Sequence, residues 1–240
     1  MPTESLAVNT PATEARLRGL LDRLRLRPGT AALDIGCGRG WMLLDLARRA
    51  GCAGVGVDPD AREIERARGL TPAGVDVHWH CARFDDVDLG RRFDAVICVG
   101  ATHAFGDGGD ALPNALDRLR GLVSPGGRAL LGVGFWKTAP PAPYLEATGF
   151  DPAELRGHDA NAALAEQFGW AVVHAEVAST AEWDAFEGAF LADAEKGARD
   201  APDGAAALAR RDHWRSWNEA YRRWGRDTLG FGYYVLEPRP

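Results

Sequence analysis

Three acids, a run of glycines and one histidine stand at spacings that suit ligand chemistry. Asp34, Gly36, Gly38 and Gly40 follow the apolar run 31–35 and precede an apolar stretch beginning at Trp41. Glycines let a ligand reach the backbone and let the chain adopt φ > 0. A helix starting beyond them offers unpaired N–H groups. This is the chemistry of holding a polar, nucleotide-like ligand, although a glycine turn that binds nothing has the same composition. Asp58 follows the next apolar run, 53–57. A carboxylate there can accept bonds from both hydroxyls of a ribose, and Asp58-Pro59-Asp60 also reads as the N-cap region of a helix over 61–68. His103 lies in a small-residue loop after the fourth apolar run, 92–100. An imidazole there can orient an acceptor or take its proton, or serve only as a hydrogen-bonded loop residue.

Alternating strand and helix patterns position these residues. Leu17, Leu20, Leu21 and Leu24 recur at helical spacing within 12–26, ended by Pro28-Gly29. Strands are expected over 31–35, 53–57, 74–79, 92–100 and 128–133, with helices from 41, over 61–68 and over 111–123. This alternation predicts a mostly parallel sheet with helices on both faces. Beyond Gly134 the pattern changes to a proline-rich stretch and a helix over 153–168, broken near Gly157-His158. A sixth strand, 171–178, is followed by a helix capped by Ser179 or Thr180 and a charged joint over 197–204. A long helix over 205–226 carries Trp214, Trp217, Tyr221 and Trp224 in one stripe. A last strand covers 230–236.

The chain has 240 residues, 46% hydrophobic and 26% charged, which fits a globular α/β protein. Its net charge of −6 disfavours nucleic acid as a partner. The four cysteines form no C-x-x-C and no zinc framework, and no metal site is expected. His78 and His80 alternate about Trp79 without an obvious third ligand. The polar stretch 1–10 lacks a signal-peptide core and no apolar run is long enough to span a membrane, so a cytoplasmic location is expected.

A dinucleotide fold wants G-x-G-x-x-G, and the position of its third glycine holds Trp41. G-x-G-x-G preceded by Asp34 instead resembles the first motif of the class I S-adenosylmethionine-dependent methyltransferases. Asp58 stands where that family carries its ribose acid. Phe93-Asp94-x-Val96, followed by a small-residue loop, resembles its fourth motif. Leu122-x-Ser124-Pro125-Gly126-Gly127 resembles the turn before its fifth strand. The resemblance covers roughly 31–133 plus the last two strands, and is nearest to the ubiquinone/menaquinone-biosynthesis-type branch without transferring a quinone substrate.

The resemblance implies a Rossmann-like class I methyltransferase fold with a seven-stranded, mostly parallel sheet and a helical insertion between the last two strands. It implies one domain over 1–240, with a core of about 27–134, 170–178 and 229–237 and cap segments of about 135–169 and 180–227. S-adenosyl-L-methionine is the implied cofactor and S-adenosyl-L-homocysteine its product. Asp34, Gly36, Cys37 and Gly38 are expected at the methionine end, Asp58 and Pro59 at the ribose, and Ala82, Arg83 and Val99 around the rest. Arg83 departs from the family's pattern, which has an acid there for the adenine; Asp85 or Asp86 can substitute, or the backbone alone can hold the ring. The implied reaction is in-line displacement onto an oxygen or nitrogen of a small-molecule acceptor, with proximity and orientation dominant.

His103 is the candidate catalytic residue, and Trp136, Tyr144 and His158 are candidates for the acceptor pocket, since loops at strand carboxyl ends bind ligands in α/β folds. The helices over 180–227 fit a lid, packed core or dimer interface, and the chain a monomer or homodimer. Two other readings stand beside the methyltransferase: a nicotinamide-dependent oxidoreductase, and an S-adenosylmethionine-binding protein without catalysis.

Overall fold

The computed structural model describes residues 6–239; Met1 to Ser5 of the polar opening stretch, and Pro240, lie outside the described residues. The described residues form a seven-stranded sheet in the order β3-β2-β1-β4-β5-β7-β6. The strands are β1 (Ala31–Ile35), β2 (Ala53–Asp58), β3 (Val77–Cys81), β4 (Phe93–Val99), β5 (Val123–Trp136), β6 (Trp170–Val177) and β7 (Leu229–Pro238). β3 to β5 pair in parallel, while β7 runs antiparallel between β5 and β6. The strand order reverses between β1 and β4, and a crevice opens outside the carboxyl ends of strands at such a point.

Side chains alternate across β1, so Leu33 and Ile35 face one apolar layer and Ala32 the other. The first layer takes α4 (Ala111–Leu122) through Leu112 and Leu116, and α6 (His158–Gln167) through Ala165. The second takes α1 (Glu14–Asp22) through Leu17 and Leu20, and α2 (Trp41–Ala50) through Met42 and Leu43. α3 (Ala61–Leu70) is capped by Asp60, whose carboxylate accepts from the Arg62 N–H. α7 (Thr180–Asp200) opens with a reciprocal cap between Ser179 and Glu182. Ser179, not Thr180, is therefore the N-cap.

Several boundaries differ from the sequence-based expectation. A helix not expected from the sequence, α5 (Ala142–Thr148), forms in the proline-rich stretch. Proline in the first helical turn has its φ already set, and its missing N–H would be unpaired there anyway. The helix expected over 153–168 starts only at His158, beyond Pro152 and Gly157. β5 extends past 128–133 at both ends because Val123 pairs with Phe93 and Trp136 with Leu229. The long terminal helix is α8 (Ala205–Ala220) followed by a π turn, Tyr221–Gly225. No helix among the described residues is long and apolar enough to cross a membrane.

Candidate active site

The glycine turn joins β1 to α2, as its composition predicts, with φ of +74° at Gly36, +52° at Gly38 and +77° at Gly40. Two of these positions are fixed by close neighbours. A Cβ on Gly36 would strike Ala101 in the loop after β4, and one on Gly40 would strike the Trp79 indole from β3. The turn is thus gripped from both sides by strands distant in sequence. α2 begins without a side-chain cap, so its first N–H groups remain for a ligand.

Asp58 ends β2 beside this turn. Its Oδ2 accepts from the Gly38 N–H at 2.8 Å and its Oδ1 from the Asp60 N–H at 2.9 Å. Both oxygens are thereby oriented, and each keeps a lone pair for a ligand hydroxyl. Asp60 caps α3 through its side chain, and Asp58 and Asp60 both line the cleft. Glu63, 4% exposed, is held by Arg39 at 3.0 Å and Arg66 at 2.8 Å. Arg39 also donates to the Leu6 carbonyl at 3.0 Å. That bond draws residues 6–9 across the mouth of the site.

A cleft of about 350 Å³ lies among these groups. Gly36, Cys37, Gly38, Asp58 and Pro59 line one side, and Ala82, Arg83 and Asp85 another. Val99, Ala101 and His103 close the end at β4. The Ala82 N–H is already taken by the Asp58 carbonyl at 3.1 Å. Of the two acids expected to replace the missing adenine acid, Asp85 is in the wall, where it also pairs with Arg118 at 3.0 Å. Phe84 is buried behind it, with Arg118 over its ring and Phe105 beside it. Burial pushes the Cys37 thiol well above its usual range, which leaves it protonated and a poor nucleophile. His103 is exposed on a short 3-10 turn, Thr102–Phe105, in the cleft wall.

The structure therefore brings together Gly36, Cys37, Gly38, Asp58, Pro59, Ala82, Arg83, Val99 and His103. Asp34 is not in the wall. It is 1% exposed in the centre of the sheet, its Oδ2 has no partner, and burial, aided by the Asp58 charge, pushes its carboxyl up to about 8.

The three acceptor-pocket candidates stand outside the walls as well. Tyr144 is 1% exposed and packs against Trp136 and Phe150. The Trp136 indole donates to the Pro152 carbonyl at 3.0 Å. The His158 Nδ1 lies 2.7 Å from the Tyr234 hydroxyl, and the two rings stack. All three make ring contacts, and Trp136 and His158 hydrogen bonds, away from the cleft.

Residues 6–9 were not legible as part of the site. They show no periodicity, and what holds them is remote: Thr10 bonds the Tyr233 hydroxyl at 2.9 Å, while the Thr13 N–H and Arg16 bond Glu182. Arg39 and Glu63 were missed for the same reason, since only the pairing of β1 with β2 brings their elements together.

A family model described as a methyltransferase domain matches residues 32–127. The chain is 27% identical to YjhP, an uncharacterized protein of Escherichia coli, over 97% of this chain and 94% of that one. The X-ray structure of YjhP has a TM-score of 0.88 to this fold at 26% identity, covering 98% of this chain and 96% of that one. A SAM-dependent methyltransferase from Geobacter sulfurreducens, crystallised with S-adenosyl-L-homocysteine, has a TM-score of 0.87 at 26% identity, covering 98% of this chain and 95% of that one. A shorter stretch of 100 residues is 33% identical to the ubiquinone biosynthesis O-methyltransferase of Nitrobacter winogradskyi, covering 41% of this chain and 36% of that enzyme.

Proposed function

We propose that this chain is a class I S-adenosylmethionine-dependent methyltransferase and that its acceptor is a small molecule carrying an oxygen or nitrogen nucleophile. The observation that carries this reading is the cleft itself. Its volume of about 350 Å³ must take the cofactor as well, which leaves room for only a small acceptor group beside it. Residues 6–9 and His103 are part of its lining. A net charge of −6, with Asp58, Asp60, Glu63 and Asp85 all in its walls, suits no polyanion.

The residues present fit the cofactor. The Asp58 carboxylate, oriented by two backbone amides, would take the ribose hydroxyls. The Gly36, Cys37 and Gly38 N–H groups are taken by Val57 and Asp58, so the turn would meet the amino-acid end through carbonyl oxygens. Arg83 and Asp85 would flank the base. When bound, the sulfonium supplies an activated methyl group, so the protein's own work is binding and alignment. Alignment of that kind is worth about 7–11 kcal/mol.

His103 is the group placed to orient an acceptor hydroxyl or remove its proton; an amine with a free lone pair needs less help. His103→Ala is expected to slow turnover of a hydroxyl acceptor by about 100-fold while leaving S-adenosylhomocysteine affinity unchanged. An unaltered rate removes His103 from the reaction. The core strands and the cap segments act as one domain in this reading. Its four unpaired thiols suit the reducing cytoplasm.

The test of the acceptor class is incubation with methyl-labelled S-adenosylmethionine and three fractions: pooled small amines, phenols and hydroxy acids; tRNA; and protein. Label in the small-molecule fraction supports the reading. Label only in a macromolecule refutes it.

A further inference from the structure

Residues 6–9 belong to no helix or strand, yet all four line the cleft. Two contacts fix the path they take. The Leu6 carbonyl accepts from Arg39 at 3.0 Å. The Asn9 carbonyl lies over Gly100, where a Cβ would stand 3.8 Å from its oxygen. Arg39 belongs to the glycine turn after β1, and Gly100 follows β4. The segment therefore runs from one wall of the cleft to the other, at the point where the strand order reverses.

Its two ends are held differently. At the inner end Thr10 is 2% exposed and bonds the Tyr233 hydroxyl on β7 at 2.9 Å. Pro11 beside it is buried, and its ring fixes φ. Beyond them Glu182 accepts from the Thr13 N–H and from Arg16. Between the ends, Ala7, Val8 and Asn9 make no hydrogen bond to another described residue. Val8 adds partial packing against the second apolar layer. Segments with few buried contacts and few hydrogen bonds open at low cost, and lids are drawn from them.

The outer end is held from inside the cleft. Arg39 stands between Gly38 and Gly40, and its Nε donates to Glu63 Oε2 at 3.0 Å. Glu63 is itself in the cleft wall, and the same Oε2 would lie 3.9 Å from a Cβ on Gly38. A ligand resting on the glycine turn thus bears on the side chain that holds the segment. We propose that residues 6–9 are a strap that lifts to let the cofactor enter and leave, hinged at Thr10-Pro11, and that Arg39 is the positioning residue that latches it. The proposal rests on the cofactor reading above and adds control of cofactor exchange to it.

The test is stopped-flow measurement of S-adenosylhomocysteine association and dissociation with the full chain and two variants. Arg39→Met removes the latch and keeps an unbranched apolar stem. Deletion of residues 2–9 removes the strap and leaves the Thr10 anchor in place. Binding that waits on a conformational opening has a depressed on-rate. Each variant is therefore expected to raise the off-rate by at least about tenfold and the on-rate by at least about threefold, so that Kd changes less than the off-rate. A rise in both rates is the mark of a gate, because loss of a fixed wall raises the off-rate alone. Circular dichroism checks that each variant is folded, and either one decides the question if the other misfolds. Rates within about twofold of the parent, or an off-rate that rises with no rise in the on-rate, would overturn the proposal. A parent chain that binds no S-adenosylhomocysteine would count against the cofactor reading instead.

Discussion

Replacing Asp58 tests the link between the glycine turn and the second strand. Its carboxylate already receives two backbone N–H bonds, from Gly38 at 2.8 Å and Asp60 at 2.9 Å, so it is held in one orientation before any ligand arrives. Two ribose hydroxyls donating to it would each form a charge-assisted bond worth about 1.5–3 kcal/mol. Together that is about 3–6 kcal/mol, or a loss of roughly two to four powers of ten in affinity for Asp58→Ala. Water can reach the two stranded amides in this half-exposed cleft, which places the expectation toward the lower end. Asp58→Asn keeps one acceptor oxygen, but its amide must present donors to a backbone N–H. It is expected to lose about 1.5–3 kcal/mol, or about 10- to 150-fold. The measurement is calorimetric titration with S-adenosylhomocysteine, with circular dichroism confirming native structure. A folded Asp58→Ala chain whose Kd stays within about threefold of the parent would refute the ribose assignment.

Other perturbations probe the groups around Asp58. Asp34 titrates in the folded chain at about 8, above its unfolded value. The folded state therefore holds the extra proton, and stability should fall as pH rises from the ordinary carboxylate range through about 8. Asp34→Asn should flatten that slope in melts across pH, and an unchanged slope would remove Asp34 as its source. Gly36→Ala forces a methyl group against Ala101 at a φ of +74°; it should lower stability by at least about 1–3 kcal/mol and abolish S-adenosylhomocysteine binding, read by denaturant melts and calorimetry. At Glu182, burial works to raise the pKa, but the bonds from Arg16 and Ser179 bring it down to about 2. Its contribution is complete above the ordinary carboxylate pKa and is lost as pH falls toward about 2. Glu182→Gln should release residues 6–13 from α7, seen as faster proteolysis of the N-terminal segment near neutral pH. Equal rates would show that this ion pair does not hold the segment.

Much of the architecture was legible in local sequence because the signals were themselves local. β1 matches its expected bounds, Ala31–Ile35, since a short apolar run between Pro28-Gly29 and Gly36 has few alternatives. The glycine turn, Asp58 at the end of β2 and His103 after β4 could be placed because ligand sites in this fold lie at strand carboxyl ends. What the sequence did not reveal was where the helices settle. Trp136, Tyr144 and His158 have the composition of a binding pocket, but the segment after β5 turns them into packing partners of one another and of Tyr234. The stripe of Trp214, Trp217 and Tyr221 was visible as a helical face; its partners were not. Trp214 stacks on Phe190, Trp217 meets Phe150 and Tyr221 stacks on Trp183.

By itself the sequence determined the order of the strands, the glycine turn after β1 and the acid at the end of β2, because each depends on residues within a few positions of one another. Tertiary structure decided which side chains meet. The pairing of β1 with β2 and β4 leaves Asp34 without solvent. It also sets Ala101 and Trp79 against the glycines and draws residues 6–9 over the cleft. The same folding buries Glu187 on α7 and leaves one of its carboxylate oxygens without a partner. Neither its isolation nor its surroundings can be read from α7 alone, because burial and partnership are properties of contacts between elements and not of any one of them.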